Sequence, residues 1–353
     1  MPINSLRKKI DRIDNEIVRL LLERAEIVKK ISVIKKRKNL DIFSPEREKK
    51  ILERLKKVSS SILKESDIEL IFKEIFSVFR SLEANLSVAY LGPQGTFTHL
   101  AAVKKFGKKM EYYPCESINE VFEMVDKGSA DFGVVPIENS IEGVVNHTLD
   151  MFLDSSLKIC AEILLDIHHD LLASRSLKKV KRIYSHPQVF AQCRNWLNKN
   201  LKDAEFVSCA STASAALRVK EDIHGACIGS RILASLYNLK ILAKNIQDVS
   251  FNLTRFLVIA KKDSVPSGKD KTSLLFSIKD KVGALHDALY SFKRYRINLT
   301  KIESRPSKRK AWEYYFFVDF EGHRLDKNVE RSLKELEKRC NFVKILGSYP
   351  KES

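Results

Sequence analysis

Residues 88–102, VAYLGPQGTFTHLAA, decide the fold. An apolar run ends in Gly92-Pro93-Gln94-Gly95-Thr96 and helix-compatible residues follow at once, so the stretch reads as strand, tight turn, helix. The pattern repeats outward. Apolar runs DFGVVPI (131–137), RIYS (182–185), EFVSC (205–209), ACIG (226–229) and RFLVIA (255–260) alternate with helical patterns, one of them capped by Ser117 with Glu120. Such alternation predicts an α/β domain of parallel sheets covered by helices, with sites beyond the carboxyl ends of the strands. Polar residues gather at those ends. Glu138-Asn139-Ser140 follows VVPI, Ser185-His186-Pro187-Gln188 follows RIY, and Asn252-Leu253-Thr254-Arg255-Phe256 opens the last strand. The glycine-rich turn at 92–96 offers backbone N–H groups to an anion. Singly, each is a cap, a turn or a packing residue; His186 has no Ser or Cys nucleophile pattern beside it.

Upstream the period changes. Leu6, Ile10, Ile13, Ile17, Leu20, Leu21, Ile27, Val28, Ile31 and Ile34 recur at helical spacing, with no Gly or Pro from Ile3 to Ser44. This predicts one helix of about 33 residues, ~50 Å long. Its stripe needs partners, in part from a second chain. Ser44-Pro45-Glu46 marks a restart, with Ser as N-cap and Pro at the first helical position. Ser66 with Glu69 predicts a capping box for a third helix reaching about Asn85. Arg24 and Lys35 lie within roughly 20° of each other on one face, whereas Arg7 points roughly 100° away and would join them only from another subunit. Arg47-Glu48 on the second helix and Glu83 at the end of the third belong with them. A carboxylate at a helix C-terminus meets the negative end of the dipole, which favours a protonated, hydrogen-bond-donating Glu83.

Downstream, KKDSVPSGKDK (261–271) reads as a charged linker. Beyond it TSLLFSI, GALHDALYSFKRY, INLTKIES, WEYYFFVDFEG, NVERSLKELEKRC and FVKILGSY follow the β-α-β-β-α-β order of a ferredoxin-like fold. The expected boundaries are 1–86 for an all-α unit, 87–262 for an α/β unit, 263–271 for the linker and 272–353 for an α+β unit.

Composition narrows the function. The chain of 353 residues carries 63 Lys+Arg against 45 Asp+Glu, a net charge of +18. Residues 1–85 hold 21 basic and 14 acidic residues, 86–260 hold 20 and 18, and 261–353 hold 22 and 13, so the excess sits at the two ends. The tracts Lys35-Lys36-Arg37-Lys38 and Lys308-Arg309-Lys310 have no interleaved aromatics and no nucleic-acid motif, and read as solvated basic faces. No apolar run reaches the ~18 residues of a membrane span, and the start lacks an apolar signal core. Six cysteines without a CxxC pair read as reduced thiols of a cytosolic protein. HExxH, Walker A, DxDxDG and GxGxxG are all absent, so metal and nucleotide readings lack support.

Three resemblances cover the chain in order. LRKKIDRIDNEIVRLLLERAEIVKKISVIKK (6–36) with SPEREKKIL (44–52) resembles the all-helical chorismate mutases. In that family cations hold the two carboxylates of the substrate in the reactive conformer and stabilise charge on the breaking ether oxygen. The matching positions are Arg7, Arg24, Lys35, Glu48 and Glu83, with Arg47 alongside. Lys35 and protonated Glu83 would bracket the ether oxygen. Ser44 stands where an Asp is often found, Phe79 where a small polar residue would bond substrate, and Glu83 where many members have Gln. The resemblance thus implies a mutase rate that falls as pH rises.

VAYLGPQGTFTHLAA, DFGVVPIENSIEGVVNHTLDMF (131–152), IYSHPQVFAQCRNWL (183–197) and NLTRFLVIA (252–260) resemble prephenate dehydratase, a bilobed domain like the periplasmic binding proteins with substrate in its cleft. The resemblance implies Thr254 as the catalytic hydroxyl, Phe256 as a wall for the ring, and Arg255 as a partner of the side-chain carboxylate or a brace for the loop. Asn139, Ser140, Ser185 and Gln188 are implied as lining groups. The last module resembles an ACT domain. Gly283-Ala284-Leu285 and Glu303-Ser304-Arg305-Pro306 match its phenylalanine-binding runs, with Val282 where Pro is usual. The whole is expected to be a bifunctional enzyme of phenylalanine biosynthesis, taking chorismate to prephenate and then to phenylpyruvate under feedback by phenylalanine. It is expected to use no cofactor or metal, to bind neither nucleic acid nor membrane, and to form a homodimer or higher homo-oligomer. Two rivals remain at this point: a dehydratase whose helical segment only dimerises, and a non-enzymatic bilobed amino-acid binder acting on nucleic acid.

Overall fold

Helix α1 runs unbroken over Ile3–Arg37, 35 residues, because nothing in that stretch interrupts the backbone ladder. Helix α2 (Pro45–Lys56) starts as its residues dictate, with Ser44 at the N-cap and Pro45 at the first turn. Helix α3 (Glu65–Glu83) begins one residue before the expected capping box. Its start is held instead by Asp67, whose carboxylate accepts the Lys64 N–H at 2.9 Å, and Glu69 turns to ion pairs with Lys56 and Lys73. In this computed structural model residues 3–38, 43–83, 86–176, 180–307 and 314–352 are described; Asn85, Lys308-Arg309-Lys310 and Trp312 lie outside them.

The chain divides into two units, residues 1–86 with 106–111, and residues 87–105 with 112–353. In the first, α1 and α2 each pack on α3, around Val28, Phe43, Ile68, Phe76 and Phe79. Leu6, Ile10, Ile13, Ile17 and Leu20 along α1 stay 45–56% exposed, a stripe that three helices of one chain do not cover.

The second unit holds two α/β lobes and an α+β module. In the first lobe, β1 (Ser87–Leu91), β2 (Glu111–Cys115), β3 (Phe132–Asn139) and β5 (Lys158–Asp166) form a sheet with β11 (Leu253–Ala260), in the order β2-β1-β3-β11-β5; the two-residue β4 (Gly143–Val144) pairs with β3. Helices α4 (Phe97–Phe106), α5 (Ile118–Asp126) and α6 (Asn146–Asp154) complete it. The second lobe orders β10 (Lys240–Ala243), β6 (Asp170–Ala173), β9 (Gly225–Gly229), β7 (Arg182–Ser185) and β8 (Glu205–Ser208), with α7 (Pro187–Gln192), α8 (Arg194–Asn200), α9 (Thr212–Glu221) and α10 (Ile232–Tyr237).

The sheets are mixed, not parallel as expected. β1 runs parallel to β3, and β7 to β8 and β9, but β11 is antiparallel to both β3 and β5, and β6 to β9. The cause is the path of the chain. It builds most of one lobe, crosses to build the other, then returns as β11 into the middle of the first sheet. The crossing places residues 252–256 where the lobes meet. Gly95, with φ +96, opens α4 there, and a Cβ on it would come within 2.5 Å of a Leu233 methyl from the other lobe.

The last module pairs β12 (Asp270–Ile278), β13 (Leu299–Pro306), β14 (Tyr314–Glu321) and β15 (Cys340–Pro350) antiparallel in the order β13-β14-β12-β15, with α11 (Ala284–Arg294) and α12 (Lys327–Arg339). One sheet face, Leu274, Phe276, Val318 and Phe320, packs with Phe292 and Leu336 of the helices. The other, Leu275, Phe317, Leu346 and Tyr349, joins Phe152, Ile159 and Leu257 in the core of the first lobe. The expected linker is pinned rather than loose: Arg324 pairs with Asp263, Ser264 donates to the Cys160 carbonyl, and His323 bonds the Ser264 carbonyl. All six cysteines are buried, and none is in a disulfide.

Candidate active sites

A cleft of about 980 Å³ opens between the two α/β lobes. Its floor is built by strand alternation on β11, where successive side chains face opposite sides of the sheet. Asn252, Thr254 and Phe256 line the cleft; Arg255 does not. Thr254 Oγ1 accepts from Asn139 Nδ2 at 2.7 Å, and the same nitrogen donates to Asn252 Oδ1 at 2.7 Å. Asn139 Oδ1 is held by the Ile141 and Glu142 N–H groups, both at 2.9 Å. Asn252 Nδ2 in turn donates to Gln192 Oε1 at 3.0 Å, and Gln192 Nε2 to Glu142 at 3.0 Å.

The amide orientations fix one another. With its nitrogen on a carboxylate, Gln192 presents only oxygen to His169 Nε2, 2.9 Å away, so His169 carries its proton on Nε2. Its Nδ1 is buried without a hydrogen-bond partner among the described residues. Burial pulls the His169 pKa below its ordinary value, so the ring is neutral near pH 7. The consequence reaches Thr254. Its oxygen already accepts from an amide that can only donate, and among the described residues its own O–H donates to none. The proton of a buried hydroxyl is therefore left to the cleft.

No Lys or Arg lines this cleft among the described residues. An anion in this cleft would meet backbone N–H groups before any cationic side chain among the lining residues. Helix α4 starts at the lining residues Thr96, Phe97 and Thr98, and α9 at Ser211 and Thr212, whose capping box leaves the first amides facing outward. One helix N-terminus comes from each lobe.

Two expected lining residues, Ser140 and Ser185, sit elsewhere, and Arg255 takes the bracing place of its two expected ones. Ser140 uses its hydroxyl to accept the Leu253 N–H at 2.9 Å, tying β3 to β11. Ser185 is fully buried and donates to the Ile228 carbonyl at 2.9 Å. Arg255 points through the sheet to the α+β module, binding Glu162, Asp319 and Tyr349, and so contacts no cleft carboxylate. Tyr349, Asp319 and Glu162 outweigh the cost of burial and hold its pKa well above the ordinary value. Asn139 and Gln188 do line the cleft. Gln192 and His169 carry no sequence signal of their own beyond spacing: Gln188 and Gln192 stand four apart, which puts two side chains on one helical face.

The helical unit gathers a second polar cluster. Lys35 Nζ meets Glu83 Oε2 at 2.9 Å, so a ligand between them must first part the pair. Arg24 lies over the Phe79 ring, 4.1 Å from its centroid, which makes Phe79 a cation–π floor rather than a gap in the site. Nη1 of Arg24 is buried without a hydrogen-bond partner among the described residues. Burial lowers its pKa against the pull of Glu83 and Glu48. A buried guanidinium N–H without an acceptor is the kind of group that an anionic ligand satisfies. Glu48 is engaged by Arg80, a buried residue the sequence reading passed over. The signal was present, since Arg80 occupies the apolar stripe of α3 four residues after Phe76. Arg7 and Arg47 are exposed, and Ser44 makes no side-chain cap.

In the α+β module Gly283, at φ +78, caps α11, with Ala284 buried and Leu285 packed on its core; Val282 is exposed. Glu303-Ser304-Arg305-Pro306 lies on the edge strand β13. There Arg305 pairs with Asp150 at 3.1 Å and Lys301 with Glu138 at 2.8 Å, so one side of this strand is tied to the first lobe.

Three family models match the chain: chorismate mutase type II over residues 6–84, prephenate dehydratase over 88–264 and the ACT domain over 272–338. A bifunctional chorismate mutase/prephenate dehydratase of Aquifex aeolicus is 52% identical, over 99% of this chain and 98% of that protein. A prephenate dehydratase of Methanocaldococcus jannaschii is 42% identical, over 75% of this chain and 98% of its own length. The crystal structure of prephenate dehydratase from Arthrobacter aurescens in complex with L-Phe superposes with a TM-score of 0.70 at 35% identity, covering 75% of this chain and 90% of that one.

Proposed function

The chain belongs to the bifunctional chorismate mutase/prephenate dehydratases with a C-terminal ACT domain, and from that premise we propose which of its side chains run the two reactions. It rearranges chorismate to prephenate, converts prephenate to phenylpyruvate, and is regulated by phenylalanine.

For the dehydratase, the carrying observation is the polarity of the hydrogen bonds around Thr254. The Asn139 amide fills one lone pair of the hydroxyl and turns its proton into the cleft. That proton goes to the departing ring hydroxyl, which leaves as water. The ring carboxylate leaves as carbon dioxide, and its bonding pair closes the aromatic ring. Solvent returns the proton to Thr254. Phe256 walls the ring, and the N-termini of α4 and α9 receive the carboxylates.

For the mutase, Arg24 takes a substrate carboxylate through its unpaired Nη1, Glu48 is aimed by Arg80, and Lys35 and Glu83 separate to take the ether oxygen between them. Arg7 completes the site from a second copy of the chain. The exposed stripe of α1 supports a dimer, and six cysteines without a disulfide suit a reducing cytosol. Phenylpyruvate formation from chorismate and, separately, from prephenate, each with and without phenylalanine, tests the reading. Product from both substrates, suppressed by phenylalanine, is expected; product from prephenate alone would sink the mutase assignment.

A further inference from the structure

Arg255 is the residue between the catalytic hydroxyl and the ring wall, and its whole side chain is spent on the opposite side of the sheet. Nε donates to Glu162 at 2.8 Å, Nη2 to the Tyr349 hydroxyl at 2.9 Å, and Nη1 to Asp319. Tyr349 and Asp319 belong to the ACT sheet, on β15 and β14. Ser273 of β12 bonds both, at 2.6 Å and 2.5 Å, and Lys271 of β12 pairs with Glu162 at 2.8 Å. Two carboxylates and two cations thus balance in a buried network, in which Glu162 and Tyr349 are fully buried.

A buried ion network is weak evidence for stability, since apolar residues of the same volume serve that end as well. Its position is what matters. The ladder between β11 and β3 slips at this point: Arg255 pairs with Glu138, but Phe256 pairs with Pro136, which has no N–H to give. Against β5 the same residues stay in register, so the ladder is loosened on the β3 side only, and there the Arg255 side chain adds a tie through the sheet. The same strand position is tied a second time, because Glu138 binds Lys301 of β13, two residues before Glu303.

We propose that Arg255 is a positioning residue, through which the ACT sheet sets the placement of Thr254 and Phe256 and by which phenylalanine acts on the dehydratase. The proposal rests on the functional reading above. The sensor moves Asp319, Tyr349 and Ser273 as one group, Arg255 follows them, and Thr254 moves against the Asn139 amide that orients it. Coupling of this kind is reciprocal: a ligand in the cleft must change phenylalanine affinity by the factor that phenylalanine changes its own.

The test uses the full-length enzyme and two variants outside the cleft, Tyr349→Phe and Asp319→Asn. Phenylalanine binding is measured by calorimetry with and without phenylpyruvate in the cleft, and prephenate turnover is titrated with phenylalanine. In both variants phenylalanine is expected to bind the empty enzyme within about twofold of the parent, while the ratio of its two affinities falls toward one by about fivefold or more and inhibition becomes incomplete. Variants that keep the parent ratio and complete inhibition would overturn the proposal. If Asp319→Asn fails to fold, Tyr349→Phe, which removes one hydroxyl, decides alone. A parent enzyme that turns over prephenate and ignores phenylalanine would overturn the regulatory reading and this proposal with it.

Discussion

Replacing Asn139 by Asp probes the dehydratase assignment at its centre. The side chain keeps its size, and its oxygen can still accept from the Ile141 and Glu142 N–H groups. What it loses is the nitrogen that donates to Thr254 Oγ1 and to Asn252 Oδ1, each at 2.7 Å. Facing a carboxylate, Thr254 must turn its own proton toward residue 139 and away from substrate. General acid catalysis contributes about 10²–10⁴ in rate, so kcat is expected to fall by that factor, ~2.7–5.4 kcal/mol at ~1.36 kcal/mol per tenfold. KM should move little, because the carboxylate receptors on α4 and α9 are untouched. Thr254→Val should cost as much. The double variant should be hardly slower than either single one, since both remove the same proton. The assay is phenylpyruvate formation from prephenate, with thermal unfolding as a check that the fold survives. An Asn139→Asp enzyme within about threefold of the parent kcat, or a double variant whose losses multiply, would refute the relay, given the 10²-fold minimum of that step.

Arg24→Met should cut kcat/KM for chorismate by about 10–150-fold, the value of one charged hydrogen bond, and leave prephenate turnover unchanged, as measured on the two substrates separately. Glu83→Gln supplies a permanent donor beside Lys35; it should keep mutase turnover, measured as prephenate formation from chorismate. His169 and His99 are both lowered by burial, so the unfolded chain binds their protons first. Their contribution to stability is complete above the unfolded pKa of about 6.5 and is lost as pH falls toward the folded values, each by up to ~1.4 kcal/mol per pH unit; denaturant melts at pH 7 and 5 check the sign. Burial pushes the Cys193 thiol up to about 12 and those of Cys115 and Cys340 to about 11, so alkylation by iodoacetamide at pH 7.5 should be slow in the folded enzyme and fast in denaturant.

What the sequence showed and hid follows from the reach of its signals. Helix starts at Pro45 and after Ser117 were legible because a first-turn proline and a serine cap are local signals. Strand direction was not, because the antiparallel insertion of β11 is decided by a crossover nearly 90 residues long, between Asp166 and Leu253. The apolar run of β5 is periodic in neither sense and passed unread. At the site, motif identity was legible and facing was missed. Period two along β11 already sends Thr254 and Phe256 one way and Arg255 the other, yet a positive charge beside a catalytic hydroxyl invites pairing with an anionic substrate. Ser140 and Ser185 misled for a related reason, since a hydroxyl at a strand end serves the backbone as readily as a ligand.

On the proposed assignments the two sites receive dianions by different means, and the reactions explain why. Rearrangement of chorismate keeps both carboxylates and builds charge on an ether oxygen. A fixed cation at the ether oxygen, Lys35, therefore gains as charge builds there, while Arg24 keeps its hold on a carboxylate that does not leave. Dehydration of prephenate discharges a carboxylate as carbon dioxide. A guanidinium clamped on that group would bind substrate more tightly than transition state and slow the step. Helix N-termini hold an anion with partial charge only, enough to seat prephenate and weak enough to release it. On this reasoning the +18 excess has no part in dehydratase chemistry. Turning Arg255 away from the cleft then keeps the one cation on that strand from opposing the loss of charge, while leaving it to hold Thr254 in place.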